Sequence, residues 1–322
     1  MYNFDKAIQQ RTIYLSNRKL RDLISNWTDY YLQNPEKSFR LEKKTDTYKT
    51  YINQIKKSKG FQLVAFAGKA QNEYTHPSRL PDLGELNLLT KIRAIQLLSK
   101  RPARIIFDGE YYTQTFKEDE LYIKNYNKAM IFLTKLVGIN KEYKTVNATV
   151  TVNDLLKSQN LPIDYPIKEK NKFLKNPTKA YEEIELYPKE LFETVKRILP
   201  VDMKKLLKYQ LENNGELEKI CSEFIILKAI LARIVDNSRR KDKYQRITIL
   251  KYSHTTNPRI NLEMNIVPWN STILLKNSYL NINTAINASY RDLYNDPRNY
   301  IIIGEKNYFW GFSRKRNIFK NL

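Results

Sequence analysis

The alternation of apolar and polar positions in the first half of the chain predicts helices and strands in turn. The clearest strand signal is the apolar run "FQLVAFAG", which follows a helical N-terminal region and ends in a glycine. Helical spacing returns after each predicted strand. The predicted elements are helices over 18–32 and 45–58, a strand over 61–68, a helix from Asp82 to about Ser99, a strand over 103–112, a helix over 118–138 and a strand over 145–152.

The second half changes character along its length. Residues 160–177 are rich in Pro, Lys and Asn and predict a connecting loop. The C-terminal part alternates or runs apolar between Pro and Asn breaks, which indicates strands. The elements predicted here are helices over 178–198, 202–213 and 216–236, strands within 245–253, 258–268 and 271–282, and a hairpin over 300–312 whose turn starts at Gly304.

Strands that alternate with helices indicate an α/β fold with a parallel sheet. We predict a Rossmann-like, mostly parallel sheet core with added N-terminal helices and a C-terminal mixed α+β part. Ligands of such sheets bind outside the carboxyl ends of the strands. The predicted division is an N-terminal helical segment over 1–58, an α/β core with the main motifs over 59–158, a connecting loop over 159–177, and a helical, then β-rich part over 178–322 that completes the core.

Composition narrows the class of protein. The single cysteine, Cys221, excludes a disulfide framework, and the N-terminus lacks the apolar segment of a signal peptide. The apolar stretch 224–235 is short and interrupted by Lys228 and Arg233, so it predicts a core helix and no membrane span. Eight scattered glycines argue against bound ATP or NAD, and two histidines give little support for a zinc site. We expect a cytoplasmic protein.

The net charge of +22 raises the question of a polyanionic partner. The positive charge is spread along the chain, with denser clusters at 168–175, 239–246 and 313–320. No zinc-finger, helix-turn-helix or RNP-type motif accompanies these clusters. A solvated basic surface is the preferred interpretation, and nucleic acid is not the expected partner. A non-catalytic protein that binds nucleic acid or another polyanion stays open as the alternative.

Two acidic residues in "RLPDLGELNLL" have two possible roles. Asp82 and Glu85 stand three residues apart, the spacing of a capping box, in which the first side chain accepts an early helix N–H and the second reaches back. Both also fall at the predicted crevice, where they would face a substrate. Spacing alone favours the cap. Position 85 separates the two roles, because a cap tolerates Gln there and a catalytic acid does not.

Further polar side chains fall at the same predicted edge of the sheet. Lys69 and Asn72 follow the first strand, Arg79 precedes the helix, and Asp108 ends the next strand. A lysine near carboxylates can hold a phosphate or take part in proton transfer. The structural alternative is that Lys69 is solvated and that Asp108 is an ordinary turn residue.

Two C-terminal segments add candidates. His254 follows a predicted strand, with Arg259 shortly after it, and a histidine is the natural general acid or base near neutral pH. A lone histidine in a loop is nevertheless more often structural or exposed. Trp269 precedes another strand and is either a core or lid residue or the wall of an aromatic-substrate pocket.

Several of these segments together resemble one family. They occur in the order and approximate spacing of the isonitrile (isocyanide) synthases, which are the pyoverdine/dityrosine biosynthesis proteins. The most specific element is Leu-Pro-Asp-Leu-Gly-Glu with an upstream lysine and a downstream Asp-Gly. The segments are "VAFAGKAQN", "RLPDLGELNLL", "ARIIFDGEYY", "ITILKYSH" and "IVPWNSTILL".

The resemblance implies an enzyme that condenses the amine of an amino acid, commonly tyrosine or tryptophan, with ribulose 5-phosphate to give an isonitrile. It implies no metal or organic cofactor, and an iron/2-oxoglutarate oxygenase as a downstream partner. By position in the motifs, the expected catalytic residues are Lys69, Asp82, Glu85 and His254, and the expected substrate-binding residues are Asn72 and Asp108. Arg79 and Arg259 are added for their charge and location, and Trp269 as a pocket wall.

The chain departs from the family pattern at four positions. Ala67 and Gly68 replace Pro-Phe before the lysine, Glu110 stands where an arginine is frequent, and Asn270 replaces a histidine. These differences leave open a divergent member with another amino acid substrate, a member that makes an N-formylated amino acid, and a member without catalysis.

Overall fold

Short apolar strands pair in parallel to build the central sheet. Elements are numbered here in chain order. The middle strand β3 (Gly60–Val64) pairs with β4 (Ala103–Phe107) on one side and with β6 (Tyr244–Thr248) on the other. The described residues of this computed structural model are 12–14, 17–41, 47–64, 81–116, 120–179, 193, 196–197, 199–201, 213–248, 260–263, 271–275, 286–289, 300–305 and 309–314.

Three more strands complete this six-stranded sheet. β5 (Thr149–Thr151) pairs in parallel beyond β4, and β7 (Ile260–Leu262) pairs in parallel beyond β6. β2 (Phe39–Arg40) is the antiparallel edge strand, which gives the order β2-β7-β6-β3-β4-β5. The predicted Rossmann-like, mostly parallel α/β core is confirmed.

The direction of strand addition reverses between β3 and β6. From β3 the chain continues to β4 and β5 on one side, whereas β6 and β7 lie on the other side. At such a reversal, neighbouring crossover connections leave in opposite directions and open a crevice outside the carboxyl ends of the two strands. The fold therefore has the topological reversal at which such a crevice is expected, and the crevice itself stays a prediction.

Helices connect the strands of the sheet in the described part of the chain. Gly138, in the left-handed region at φ +79°, follows the long helix after β4, as its C-terminal glycine predicted. Two 3₁₀ helices span Pro35–Ser38 and Gly109–Tyr112. The α-helices are α1 (Asn17–Gln33), α2 (Tyr48–Lys56), α3 (Leu83–Ser99), α4 (Thr113–Phe116), α5 (Glu120–Val137), α6 (Val152–Ser158), α7 (Tyr165–Phe173) and α8 (Asn214–Asp242).

The two faces of the sheet are covered by different helices. Ile105 and Phe107 of β4 belong to a core shared with α1, α3 and α5, whereas Ile106 belongs to a core shared with α6 and α8. This division follows from the alternation of side chains along a strand. A hydrogen bond also connects α8 to the sheet, because the side-chain amide of Gln62 donates to the Val235 carbonyl at 3.0 Å.

The strand β3 begins with glycine for a steric reason. A Cβ at Gly60 would lie 2.8 Å from the Tyr244 ring and 2.9 Å from the Pro102 carbonyl oxygen. Neither distance leaves room for a methyl group, and the backbone carbonyl cannot move aside. The parallel pairing of β3 and β6 therefore requires glycine at this position.

A second, five-stranded sheet lies beside α3. Its hairpin of β10 and β11 was predicted, but Gly304 pairs with Trp310 within the ladder and does not start the turn. α3 contacts β8 and β11 of this sheet. The strands, in the order β1-β10-β11-β8-β9, are β1 (Thr12–Tyr14), β8 (Ser271–Leu275), β9 (Ile286–Ser289), β10 (Tyr300–Glu305) and β11 (Phe309–Arg314).

Three other element predictions need correction. The strand predicted over 103–112 ends at Phe107, because the Asp108-Gly109 turn leads into a 3₁₀ helix. The strand predicted over 145–152 is limited to three residues, because the Thr151 side chain caps α6. The loop predicted over 160–177 contains α7, whose first turn accommodates Pro166 without losing a hydrogen bond.

The other predicted elements are present wherever the chain is described. The helix predicted over 216–236 is α8, which extends further at both ends. Most of the segments 178–198 and 202–213 lies outside the described residues. No helix in the described part of the chain combines the length and the apolarity needed to cross a membrane. The division of the chain into four regions stays a prediction.

A charged side chain lies inside the core next to α3. Lys91 is only 1% exposed, and its ammonium donates to the Glu263 carbonyl oxygen at 2.5 Å and lies 5.2 Å from the centre of the Tyr31 ring. Burial lowers the pKa of Lys91 to about 8, and the negative charge of Glu263 opposes this shift only in part. Keeping this lysine protonated in the folded protein therefore costs stability.

We expect Lys91→Met to stabilise the protein at neutral pH. The folded-state pKa is lower than the unfolded value of about 10.4, so the penalty is full below about pH 8 and fades as the pH rises toward 10. The variant should gain on the order of 1–3 kcal/mol at pH 7, less the lost hydrogen bond to Glu263, and the gain should shrink at pH 10.

Urea unfolding of both proteins at the two pH values measures this difference. Lys124→Met, which removes an exposed lysine from α5, is the control for loss of a positive charge. An equal loss of stability at both pH values would contradict the expected cost of the buried charge.

Candidate active site

Asp82 is fixed at the start of α3 by the local sequence. Pro81 precedes it, its backbone is extended, and one carboxylate oxygen accepts the Gly84 N–H at 2.6 Å. The Glu85 carboxylate accepts the Asp82 N–H at 3.0 Å, so the reciprocal capping box is complete. Asp82 and Glu85 are each only 2% exposed. The structure therefore places two buried carboxylates at the start of the helix that follows β3.

Glu85 is also held from a second helix. The Tyr126 hydroxyl of α5 donates to the other Glu85 carboxylate oxygen at 2.9 Å. Burial raises the pKa of Tyr126 well above its usual value, and the negative charges of Glu85 and Asp82 add to this effect. Tyr126 thus stays protonated and acts as a donor that orients the Glu85 carboxylate.

Asp108 uses its side chain differently from Asp82. It precedes the 3₁₀ helix Gly109–Tyr112, but its carboxylate makes no capping bond. Instead, it accepts the Tyr112 hydroxyl at 3.1 Å. Burial raises the pKa of Asp108, while the positive charge of Lys228 and the Tyr112 hydrogen bond lower it in part. A carboxyl with a raised pKa can serve as a general acid closer to neutral pH than an exposed aspartate.

Lys228 reaches this group from α8. Its ammonium lies 5.3 Å from the centre of the Phe224 ring, and Phe224 packs against Tyr112 with ring centres 5.1 Å apart. The short helix α4 also contacts α8 here, and the Thr115 hydroxyl is buried without a hydrogen-bond partner in the described part of the chain. Asp108, Tyr112 and Lys228 therefore form a second polar group, beyond the end of β4.

The two polar groups lie at the same edge of the sheet but on opposite faces. Phe107 faces the core of α3, so alternation turns Asp108 toward α8. Among the hydrogen bonds of the described residues, none joins Asp108 to Asp82 or Glu85. The sequence had grouped all three carboxylates in one crevice without separating the faces.

The remaining candidates lie outside the described residues. These are Lys69, Asn72, Arg79, His254, Arg259 and Trp269, together with the departures Ala67, Gly68 and Asn270. The segment 65–80 connects β3 to α3, and the segment 249–259 connects β6 to β7. Both segments leave the carboxyl ends of β3 and β6, the neighbouring strands at the topological reversal. The roles of these residues stay predictions.

Glu110, where the family frequently has arginine, lies at the surface. It is exposed and accepts a hydrogen bond from the Asn153 side chain at 3.3 Å. Burial, with help from the Glu110 charge, raises the pKa of Tyr111 to about 12. Glu110 therefore lies at the surface beside the group of Asp108, Tyr112 and Lys228 and is not part of that group.

Three residues at these groups were not selected from the sequence. Tyr112 follows Asp108 by four residues, and Tyr126 occupies an apolar position of an amphipathic helix, where a tyrosine is usually core. Lys228 carried the clearest signal, because it interrupts the apolar stretch 224–235. In the sequence alone, this charge argues only against a membrane span.

Part of the basic cluster 239–246 is engaged within the fold. Arg239 and Arg240 both bind the Asp236 carboxylate at 2.7 Å, and the Lys241 ammonium donates to the Ser158 carbonyl at 3.0 Å. Burial raises the pKa of Asp236, but the two arginines outweigh burial, so the net pKa is lowered. Cations in the last turn of α8 also interact favourably with the helix dipole.

A cavity of about 290 Å³ lies away from both groups. It is lined mainly by α7 and the C-terminal half of α8, with Arg233 and Glu169 among its polar residues. Asp82, Glu85 and Asp108, the predicted site residues that the structure describes, do not line it.

Comparison with known proteins gives a fold relative. No protein-family model matches the sequence, and no curated protein matches it. Among solved structures, the fold is similar to the PvcA protein from Pseudomonas aeruginosa, with a TM-score of 0.52. The match covers 90% of this chain and 99% of PvcA at 12% sequence identity. A match at this identity shows a shared fold.

We expect Glu85→Gln to fold and Glu85→Ala to be clearly less stable. Gln retains one oxygen for the Asp82 N–H and can face Tyr126 with its amide, whereas Ala removes both contacts. The expected losses are about 1 kcal/mol for Gln and about 2–3 kcal/mol for Ala. Urea unfolding measures both losses. Equal losses would contradict the capping role, because only Ala removes the oxygen that accepts the Asp82 N–H.

We expect Asp108→Asn to gain stability relative to the wild type as the pH rises. Burial raises the folded-state pKa above the unfolded value of about 3.9, so the carboxyl contributes stability below that value and loses it as the pH passes the folded-state pKa. Asn keeps an oxygen for the Tyr112 hydroxyl and never ionises.

Urea unfolding at about pH 4 and pH 7 tests the sign of this dependence. Asp29→Asn, at an exposed position of α1, is the control for loss of a surface charge. A raised pKa would be contradicted if Asp108→Asn lost stability relative to the wild type from the lower to the higher pH.

Proposed function

We propose that this protein is an isonitrile-synthase-like enzyme that condenses the amine of an amino acid with ribulose 5-phosphate. An aromatic amino acid such as tyrosine or tryptophan is the proposed amine substrate. The observation that carries the proposal is the position of the family-like motifs on the fold. Asp82 and Glu85 lie at the start of the helix after β3, and Asp108 lies at the end of β4, all at the carboxyl edge of the sheet.

The fold relative supports the same proposal. The motif series resembles the isonitrile synthases, and the similarity to PvcA covers nearly the whole of both chains. A likeness at 12% identity supports a shared architecture, and the reaction is argued from the residues.

The proposed chemistry suits the buried carboxyls. Condensation of an amine with a ketone proceeds through an imine and needs proton transfers to and from oxygen and nitrogen. Asp108 is proposed as a group that donates a proton, since burial raises its pKa. Glu85 is held by Tyr126 and by the Asp82 N–H, so its carboxylate would act from a fixed position. Lys69 and His254 are proposed to complete the set from the connections after β3 and β6.

The direct test is a product assay with labelled sugar. Purified protein is incubated with ribulose 5-phosphate carrying ¹³C at the carbonyl carbon and with each proteinogenic amino acid in turn. We expect phosphate release and an isonitrile one mass unit heavier than the unlabelled product, detected by chemical trapping and mass spectrometry. The label follows the proposed origin of the isonitrile carbon. An N-formylated amino acid, heavier by one water, would identify the alternative product.

A matched pair of variants separates catalysis from background. Asp108→Asn should lower turnover by about 100-fold or more while the fold persists, because the loss of a positioned acid or base typically costs that much. Asp29→Asn should leave turnover unchanged. Absence of phosphate release and of labelled product with every amino acid would reject the proposed function.

A further inference from the structure

Lys228 is a charge on an otherwise apolar stretch of helix. Its neighbours Ile226, Leu227, Ala229 and Leu231 are all at most 2% exposed, and Lys228 itself is half-buried. A half-buried lysine packs its aliphatic stem against apolar surface and keeps its ammonium accessible, so the charge is open to an anionic ligand.

The ammonium lies in the layer of residues beyond the end of β4. A series of contacts connects it to the sheet edge: Lys228 lies over Phe224, Phe224 packs against Tyr112, and the Tyr112 hydroxyl donates to Asp108. The charge of Lys228 also reaches Asp108 through space. Lys228 thus belongs to the candidate site, although it comes from a helix distant in sequence.

The two buried lysines in the described part of the chain have hydrogen-bond acceptors, and the half-buried Lys228 differs from them. The Lys170 ammonium contacts the Glu223 carboxylate at 3.3 Å, and the Lys91 ammonium donates to the Glu263 carbonyl at 2.5 Å. The Lys228 ammonium lies over the Phe224 ring and has no hydrogen-bond acceptor among the described residues. A lysine ammonium has three N–H donors, so these donors remain available to a ligand.

Asp108 does not occupy the place of that ligand. Its carboxylate accepts the Tyr112 hydroxyl, and burial favours its neutral form. Because burial raises its pKa, the Asp108 carboxyl keeps its proton to a higher pH than an exposed aspartate and repels an approaching anion less. The two side chains can therefore act on one substrate, Lys228 by charge and Asp108 by proton transfer.

We infer that Lys228 binds an anionic group of the substrate, a phosphate or a carboxylate, beside Asp108. Charge-assisted hydrogen bonds to phosphate and carboxylate oxygens are the strongest contacts that an ammonium makes. The inference rests on the proposed function, whose two substrates each carry such a group. The binding of inorganic phosphate tests part of it without any turnover.

Binding measurements on three variants test the inference. Lys228→Met keeps the length and apolar packing of the side chain without its charge, and Lys228→Arg keeps the charge. Lys219→Met, at an exposed position of the same helix, is the matched control. Isothermal titration with inorganic phosphate, ribulose 5-phosphate, L-tyrosine and L-tyrosinamide distinguishes a phosphate from a carboxylate, because tyrosinamide lacks the carboxylate. Circular dichroism and urea unfolding confirm that each variant is folded.

We expect Lys228→Met to weaken binding of the anion that contacts Lys228 by roughly 10- to 100-fold. The loss of affinity should be smaller for Lys228→Arg and absent for Lys219→Met. Loss confined to the two phosphate ligands identifies a phosphate site. Loss for tyrosine without loss for tyrosinamide identifies a carboxylate site. The bound ligand should also protect Lys228, and not Lys219, from acetylation as mapped by mass spectrometry.

Two outcomes would overturn the inference. The first is that wild type binds none of the four ligands, and the second is that Lys228→Met binds them all as tightly as wild type. In the second case, Lys228 would serve only as a charge near Asp108. Failure of this inference is distinct from failure of the proposed function: isonitrile formation with an unaffected Lys228→Met rejects only the former, and Lys228-dependent phosphate binding without product rejects only the latter.

Discussion

Helix α3 is buried along nearly its whole length, and this burial sets a requirement on its first turn. The N–H groups at the start of a helix have no partner within it, and here water cannot satisfy them. The Asp82 and Glu85 side chains accept two of these bonds from within the protein. Because the helix packs against α1, α2, α5 and the second sheet, the arrangement of the whole of that face depends on this capped start. The need for hydrogen-bond acceptors at the buried start of this helix thus puts two carboxylates at the edge of the sheet.

Those carboxylates need not be only structural. Tyr126 adds a third bond and fixes the Glu85 carboxylate from another helix, which is the kind of support that a positioned acid or base requires. Asp108 lies across the sheet edge, on the face covered by α8, with its own tyrosine and lysine. The carboxyl edge of the sheet therefore has a polar group on each face. A condensation of two substrates, each with its own polar groups, suits such a two-sided arrangement.

The positive charge of the chain is used in different ways at different depths. Arg239 and Arg240 share Asp236 at the end of α8, where they also interact favourably with the helix dipole. Lys91 is enclosed in the core and has a carbonyl acceptor, at a cost in stability. Lys228 is half-buried beside the candidate site, and its donors are available. Net charge by itself describes none of these roles, because each is set by the depth and the partners of the individual side chain.

The sequence by itself determined the element types and the order of the core. Apolar period and capping signals located α1, α3, α5 and the strands β3 and β4, because these depend on local backbone preferences and on burial of one face. The same local information identified Asp82 as a cap. It failed where the last residue of a strand caps the next helix, as at β5, and where a proline begins a helix, as at α7.

Only the tertiary structure decided which face of the sheet each carboxyl occupies and which side chains meet there. Tyr126 reaches Glu85 across 41 positions of sequence, and Lys228 reaches the Asp108 group from α8, a helix distant from Asp108 in sequence. Such contacts arise from the crossover of strands and the packing of helices on them, and residue spacing along the chain does not contain them.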